Sequence, residues 1–112
     1  RKSVEASILR VSGMTYNEDA DGTVTNMYNL ELVNKTFEDK AFKLELLSKD
    51  ARLILTDQDS VLESNNEEKK VVMVKMRGKD IHQNNIPLTF KVLVDGEELN
   101  TFETTFLAPV RN

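Results

Sequence analysis

Apolar residues in this chain recur at every second position in one segment after another, and that period admits strands and little else. Tyr28, Leu30 and Leu32 alternate with Asn29 and Glu31, and Phe42, Leu44 and Leu46 with Lys43 and Glu45. Val72, Val74 and Met76 repeat the pattern, as do Leu88, Phe90, Val92 and Val94. Successive side chains on a strand point to opposite faces, so each segment buries one face and wets the other. The segment Leu99 to Leu107 carries Phe102 and Phe106 on one face with Thr residues between, a composition that suits a strand. The first segment, Val4 to Val11, alternates less cleanly. Its Ile8, Leu9 and Val11 do not share a face, as expected of an edge strand that changes partner.

Turn chemistry punctuates these runs. Asp95-Gly96 lies between two strand patterns and reads as a hairpin, because Asp-Gly tolerates positive φ. Asp21-Gly22 precedes the Val24 strand, and Ser64-Asn65-Asn66 and 78–85 are polar loops. Pro87 is placed at a strand start, where a missing N–H costs little. Seven runs result, at 4–11, 23–34, 41–48, 52–55, 69–77, 87–95 and 98–107, with no helical pattern among them. Seven short strands in 112 residues predict an all-β fold, an immunoglobulin-like β-sandwich of about seven antiparallel strands, with a small barrel as the alternative. The chain has no Cys and no Trp, so the disulfide and tryptophan of antibody domains are missing. The core must then rest on aliphatic side chains, Tyr28 and the five Phe residues, with Leu32, Leu44, Val74 and Phe90 facing inward.

A length of 112 residues fits one domain, 1–112. Fifteen Lys and Arg against nineteen Asp and Glu give a net charge of −4, which argues against nucleic acid as a partner. The absence of Cys removes disulfides, thiol nucleophiles, zinc–thiolate sites and iron–sulfur ligation from this segment. The longest apolar run is Val71-Val72-Met73-Val74, far short of the roughly twenty residues a membrane helix needs. The chain opens on Arg1 without a secretory signal, so it is expected to be excised from something longer.

Few groups qualify for chemistry. Asn17, Asp19, Asp21 and Gly22 match the first, third, fifth and sixth positions of an EF-hand loop, but the twelfth position is Tyr28 where a bidentate Glu is needed. A solvated acidic turn is the favoured reading, with Asp19 and Asp21 kept as metal candidates. The single histidine, His82, is read as an exposed loop residue. As a copper ligand it would need Met76 or Asp80 as a partner. Glu67-Glu68-Lys69-Lys70 reads as a solvated start to a strand. The four Gly residues are scattered, so no phosphate-cradling loop exists, and Asn34-Lys35-Thr36 fits the glycosylation pattern only as a three-residue match. No catalytic site emerges, and a binding or structural module is the expectation.

One stretch is more specific. Arg10-x-x-Gly13-x-x-Tyr16 is followed, after a turn ending in Gly22, by Asn26-x-Tyr28-x-Leu30-x-Leu32-x-Asn34-Lys35-Thr36. The chain closes with Phe106-Leu107-Ala108-Pro109, a Phe-x-x-Pro ending. These elements resemble the C-terminal domain of the FixG/CcoG family, the cytochrome c oxidase accessory proteins. Ser12 stands where the family usually has proline. The resemblance implies an immunoglobulin-like domain on the extracytoplasmic, periplasmic face of a bacterial inner membrane. The parent would carry membrane helices and, upstream, iron–sulfur clusters. It would serve copper handling and haem–copper oxidase maturation. This domain would hold no cofactor and would dock a protein partner, an oxidase subunit or copper carrier, or the parent's own membrane domain. The matched residues Arg10, Gly13, Tyr16, Asn26, Tyr28 and Asn34 also have a structural reading, in which Tyr28 is an inward aromatic whose hydroxyl needs a partner and Asn26 satisfies loop backbone groups. Asn34 would bond the turn that follows it. The alternative function is a generic β-sandwich module of a secreted or cell-surface protein, adhesin-type or carbohydrate-binding, for which Tyr16 is the nominated loop aromatic.

Overall fold

A computed structural model describes residues 3–13, 15–55 and 61–109. Among them run the strands β1 (Val4–Arg10), β2 (Asn17–Glu18), β3 (Val24–Asn34), β4 (Lys40–Leu46), β5 (Ala51–Leu55), β6 (Val61–Leu62), β7 (Glu67–Met76), β8 (Asn85–Val94) and β9 (Glu97–Leu107). One three-residue 3-10 turn, Gly78–Asp80, joins β7 to β8. One sheet has the order β1-β3-β7-β5, with β2 beside the start of β3, and the other has the order β6-β4-β8-β9. Every pairing is antiparallel. This division is that of the immunoglobulin sandwich.

Parity decides what is buried. Even-numbered residues of β3 (Val24, Asn26, Tyr28, Leu30, Leu32 and Asn34) are buried, and their odd-numbered neighbours from Met27 onward are only half-buried. Phe42 and Leu44 of β4, Val72 and Val74 of β7, and Leu88, Phe90 and Val92 of β8 meet them from both sheets. The Tyr28 and Phe90 rings pack edge to face, centroids 5.6 Å apart at 69°. Such a pair adds about 0.5–1.5 kcal/mol beyond the area it buries.

The β8–β9 hairpin turns through Asp95 and Gly96, with φ of 50° and 84°, the mirror-image turn that matches strand twist. Asp95 is also tied to β4. Its Oδ1 accepts the Ala41 N–H at 2.9 Å, and its own N–H donates to the Ala41 carbonyl at 2.8 Å. The Ala41 N–H and the nearby Lys40 ammonium hold the Asp95 carboxyl below the usual carboxylate range. Val92 pairs with Asn100 and Leu93 with Glu98, so Leu99 is an extra residue on β9. That bulge lets Leu99 pack on the core together with Phe102, although their numbers differ in parity.

Four details differ from the sequence reading. The two-residue strands β2 and β6 are too short to show a period. Pro87 is the third residue of β8, not its first. The Thr89 carbonyl faces β4, accepting from the Leu47 N–H at 2.9 Å. Pro87 therefore aims its missing donor the same way, but past the end of the β4 ladder, which stops at Phe90. β1 is an edge strand, yet it keeps one partner, β3, along its whole length. The uneven pattern arises because Leu9 points outward, 61% exposed. Finally, Lys70 is not solvated but 3% exposed. It shares the inward face of β7 with Val72, Val74 and Met76, its ammonium 5.4 Å from the Phe42 ring centre and 3.4 Å from Glu68. Strand parity carries the stem inward, and the aromatic face and carboxylate offset the burial of its charge.

Candidate functional site

Three polar side chains converge inside the sandwich where β1 ends and β3 begins. Arg10, Asn26 and Tyr28 all have inward parity there, and the far end of β9 lies opposite. On β9 the odd-numbered Thr105 and Leu107 turn their backbone groups away from β8, toward this cluster. Asn26 meets Leu107 twice, its Nδ2 donating to the Leu107 carbonyl at 2.8 Å and its Oδ1 accepting the Leu107 N–H at 2.8 Å. The Tyr28 hydroxyl donates to the Thr105 carbonyl at 2.8 Å. Arg10 Nη2 donates to the same carbonyl at 2.5 Å and to Asn26 Oδ1 at 2.6 Å, while Nη1 donates to the Thr15 carbonyl at 2.8 Å. The guanidinium also lies 5.3 Å from the Tyr28 ring centre. The three side chains thus form a clamp that fastens the edge strand of one sheet to the other sheet. They also occupy backbone groups that an open edge would offer to another chain.

Asn26 and Tyr28 are fully buried, and among the described residues no buried side-chain nitrogen or oxygen lacks a hydrogen-bond partner. Burial pushes the Tyr28 phenol up to about 12 from its ordinary 10.0, against a smaller opposing pull from Arg10. A phenol whose folded pKa is raised favours folding fully below its unfolded pKa, and that contribution is lost as pH rises from about 10 to about 12. A spectrophotometric titration should show Tyr28 ionising only near pH 12, with stability falling over the same window. In a Tyr16→Phe variant, where Tyr28 is the one tyrosine left, ionisation near pH 10 in the folded chain would contradict the clamp geometry.

Gly13, with φ of 79°, lies in the excursion that leaves β1 and returns as β2, and the Arg10–Thr15 bond anchors that excursion. Asn34 builds a second cluster at the other end of β3. Its Nδ2 donates to the Glu38 carbonyl at 2.9 Å and the Leu62 carbonyl at 3.0 Å. Its Oδ1 accepts the Thr36 N–H at 2.9 Å and the Thr36 hydroxyl at 2.6 Å. Asn34 is 1% exposed, so the side chain that a glycan would need is enclosed. Replacing Asn34 with Ala should lower stability by about 1–2 kcal/mol in denaturant titration. A loss of partner binding at unchanged stability would overturn this structural role.

The metal candidates are placed as follows. Asp19 and Asp21 are exposed in the β2–β3 turn. Asp21 Oδ1 accepts the Thr23 N–H at 3.0 Å, and that bond holds its carboxyl below the usual range. Tyr28, at the twelfth position of the loop pattern, is buried in the core. His82 is exposed between the 3-10 turn and β8, whereas Met76 is buried on the inner face of β7. Among the described residues no group of three or more His, Asp or Glu side chains is placed to hold a metal ion. Tyr16 is 37% exposed, and sequence reasoning missed a second loop aromatic, Phe37, at 83%. The two sit at opposite ends of β3 and form no common stacking platform. Arg10 carried a readable signal, since it continues the even parity of Val4, Ala6 and Ile8. Its backbone acceptors on β9 did not.

The sequence model of the family described as the IG-like fold at the C-terminus of FixG matches residues 1–109. The crystal structure of a FixG-related protein from Vibrio parahaemolyticus is similar in fold, with a TM-score of 0.76 at 16% identity, covering 96% of this chain and 97% of that one. A crystal structure of the yeast GGA1 GAE domain aligns over 93% of this chain and 100% of that one, with a TM-score of 0.43 at 17% identity. No curated protein sequence matches the chain at a significant level.

Proposed function

Because the chain belongs to the family of IG-like domains found at the C-terminus of FixG, we propose that it is a non-catalytic interaction and bracing module of a membrane-bound cytochrome c oxidase accessory protein. The observation that carries this reading is the clamp. The family-like residues Arg10, Asn26 and Tyr28 are committed to cross-sheet hydrogen bonds, and Asn26 and Tyr28 are fully buried. What the domain then supplies is a rigid body with outward faces. The parent, in this reading, carries iron–sulfur clusters in its upstream part, as the family resemblance implies; this chain itself has no cysteine to ligate one. The domain stands on the periplasmic side of the inner membrane. There it docks an oxidase subunit or a copper carrier, or braces the parent's membrane domain, during maturation of a haem–copper oxidase.

The test is affinity capture from detergent-solubilised bacterial inner membranes, with an unrelated sandwich domain as control. Enrichment of a haem–copper oxidase subunit, a copper carrier or the parent's membrane segment is expected. Recovery of none of these above the control would overturn the reading.

A further inference from the structure

Cations on this chain are paired except at one end. Lys35, Lys40, Lys43, Lys70 and Lys91 each hold a carboxylate at 3.0–3.7 Å, and Arg10 is committed to the clamp. The side chains of Arg52, Lys75, Arg77 and Lys79 have no carboxylate within ion-pair distance among the described residues. They gather where β5 begins and β7 ends. Arg52 faces Lys75 across those two strands, Arg77 follows β7 directly, and Lys79 lies in the 3-10 turn. Lys69, at the far end of β7, shows that a cation elsewhere can also stand unpaired, but singly.

Three of these cations enclose a notch. A cavity of about 420 Å³ is lined by Asp21, Thr23, Arg52, Arg77, Gly78 and Lys79. Its wall forms because Gly22 brings the β2–β3 turn against the 3-10 turn, where the first carbon of any side chain would meet the Gly78 Cα at 4.0 Å. Three cations against one carboxylate leave an excess of two positive charges. The carboxylate, Asp21, already accepts the Thr23 N–H at 3.0 Å. Arg52 and Arg77 also line a neighbouring cavity of about 210 Å³, but there Asp50 and Asp80 offset them and Lys49. The excess in the first cavity matches the charge of a phosphate monoester, about −1.5 to −2 at neutral pH. A guanidinium presents a planar fork of donors that fits phosphate oxygens two at a time. We propose that this notch binds a phosphate monoester, its oxygens accepting from the Arg52 and Arg77 guanidiniums and the Lys79 ammonium. The same group is carried by soluble phosphate esters and by phosphatidic acid in a bilayer. The site is independent of the oxidase reading, because it needs no protein partner.

Titration of the 112-residue chain with inorganic phosphate at constant ionic strength, followed by amide shifts, tests it. Saturable shifts at Thr23, Gly78 and Lys79 are expected, although a net charge of −4 repels anions in general. The double variant R52Q/R77Q alters exposed side chains only, so it should stay folded while binding weakens about tenfold or more. Lys69→Gln, which removes an unpaired cation outside the notch, should bind like the parent. Cosedimentation with phosphatidylcholine vesicles that contain phosphatidic acid, and not with vesicles that lack it, would support the site with a lipid headgroup as its source. Phosphate binding without vesicle binding would support it with a soluble ester. Absence of saturable shifts, shifts that persist unchanged in R52Q/R77Q, or an equal loss in Lys69→Gln would each overturn the proposal.

Discussion

Replacing Phe90 with Ala is expected to lower unfolding free energy by about 3–5 kcal/mol, because a large, fully buried ring leaves a cavity that neighbouring strands cannot close. Phe90 has no exposed surface, sits in the middle of β8 and meets the Tyr28 ring edge to face. The backbone around it is fixed on both sides, by β4 at Leu46 and by β9 at Phe102, so collapse into the void is blocked. A fall in melting temperature of more than about 10 °C follows from a loss of this size. A loss below about 1 kcal/mol in denaturant titration would mean that the two sheets do not meet at this residue.

Replacing Asn26 with Ala is expected to cost about 2–4 kcal/mol, although it removes only a small polar group. The Leu107 N–H and carbonyl both lose their partner, and Arg10 Nη2 loses one of its acceptors. Buried polar groups left unpaired cost more than the net worth of the bonds they made. Asn26→Asp should not restore the wild type, since a carboxylate accepts the Leu107 N–H but has no donor for the Leu107 carbonyl. Chemical denaturation of the three proteins side by side is the check. Equal stability of all three would show that the side chain is not engaged as described.

The central strands β3, β4, β7 and β8 were legible because they keep a strict period of two, and the Asp95-Gly96 hairpin was legible from turn chemistry alone. Where the reading fell short, a physical cause is visible. Lys70 looked solvated because its type suggests water, while its position on β7 dictates burial beside Phe42. The broken alternation around Leu9 looked like a change of partner and is instead an apolar residue on an outer face. Local irregularities of this kind are where a second demand competes with the fold. The clamp was only half readable. Inward parity singles out Arg10, Asn26 and Tyr28, but their acceptors are backbone groups of Thr105 and Leu107, about eighty residues or more away in sequence. Backbone groups carry no sequence signature, so nothing in the residue pattern could pair them.

The central claim is that the family-like residues hold the fold together and leave binding to the outer faces. Amide hydrogen exchange at Leu107 in the wild type and in Arg10→Ala tests it most directly, because Arg10 holds the Asn26 oxygen that accepts this N–H. The account predicts slow exchange at Leu107 in the wild type and markedly faster exchange in the variant, together with lower stability. Unchanged exchange and stability in a variant that no longer captures its membrane partner would contradict it, and would make Arg10 a binding residue.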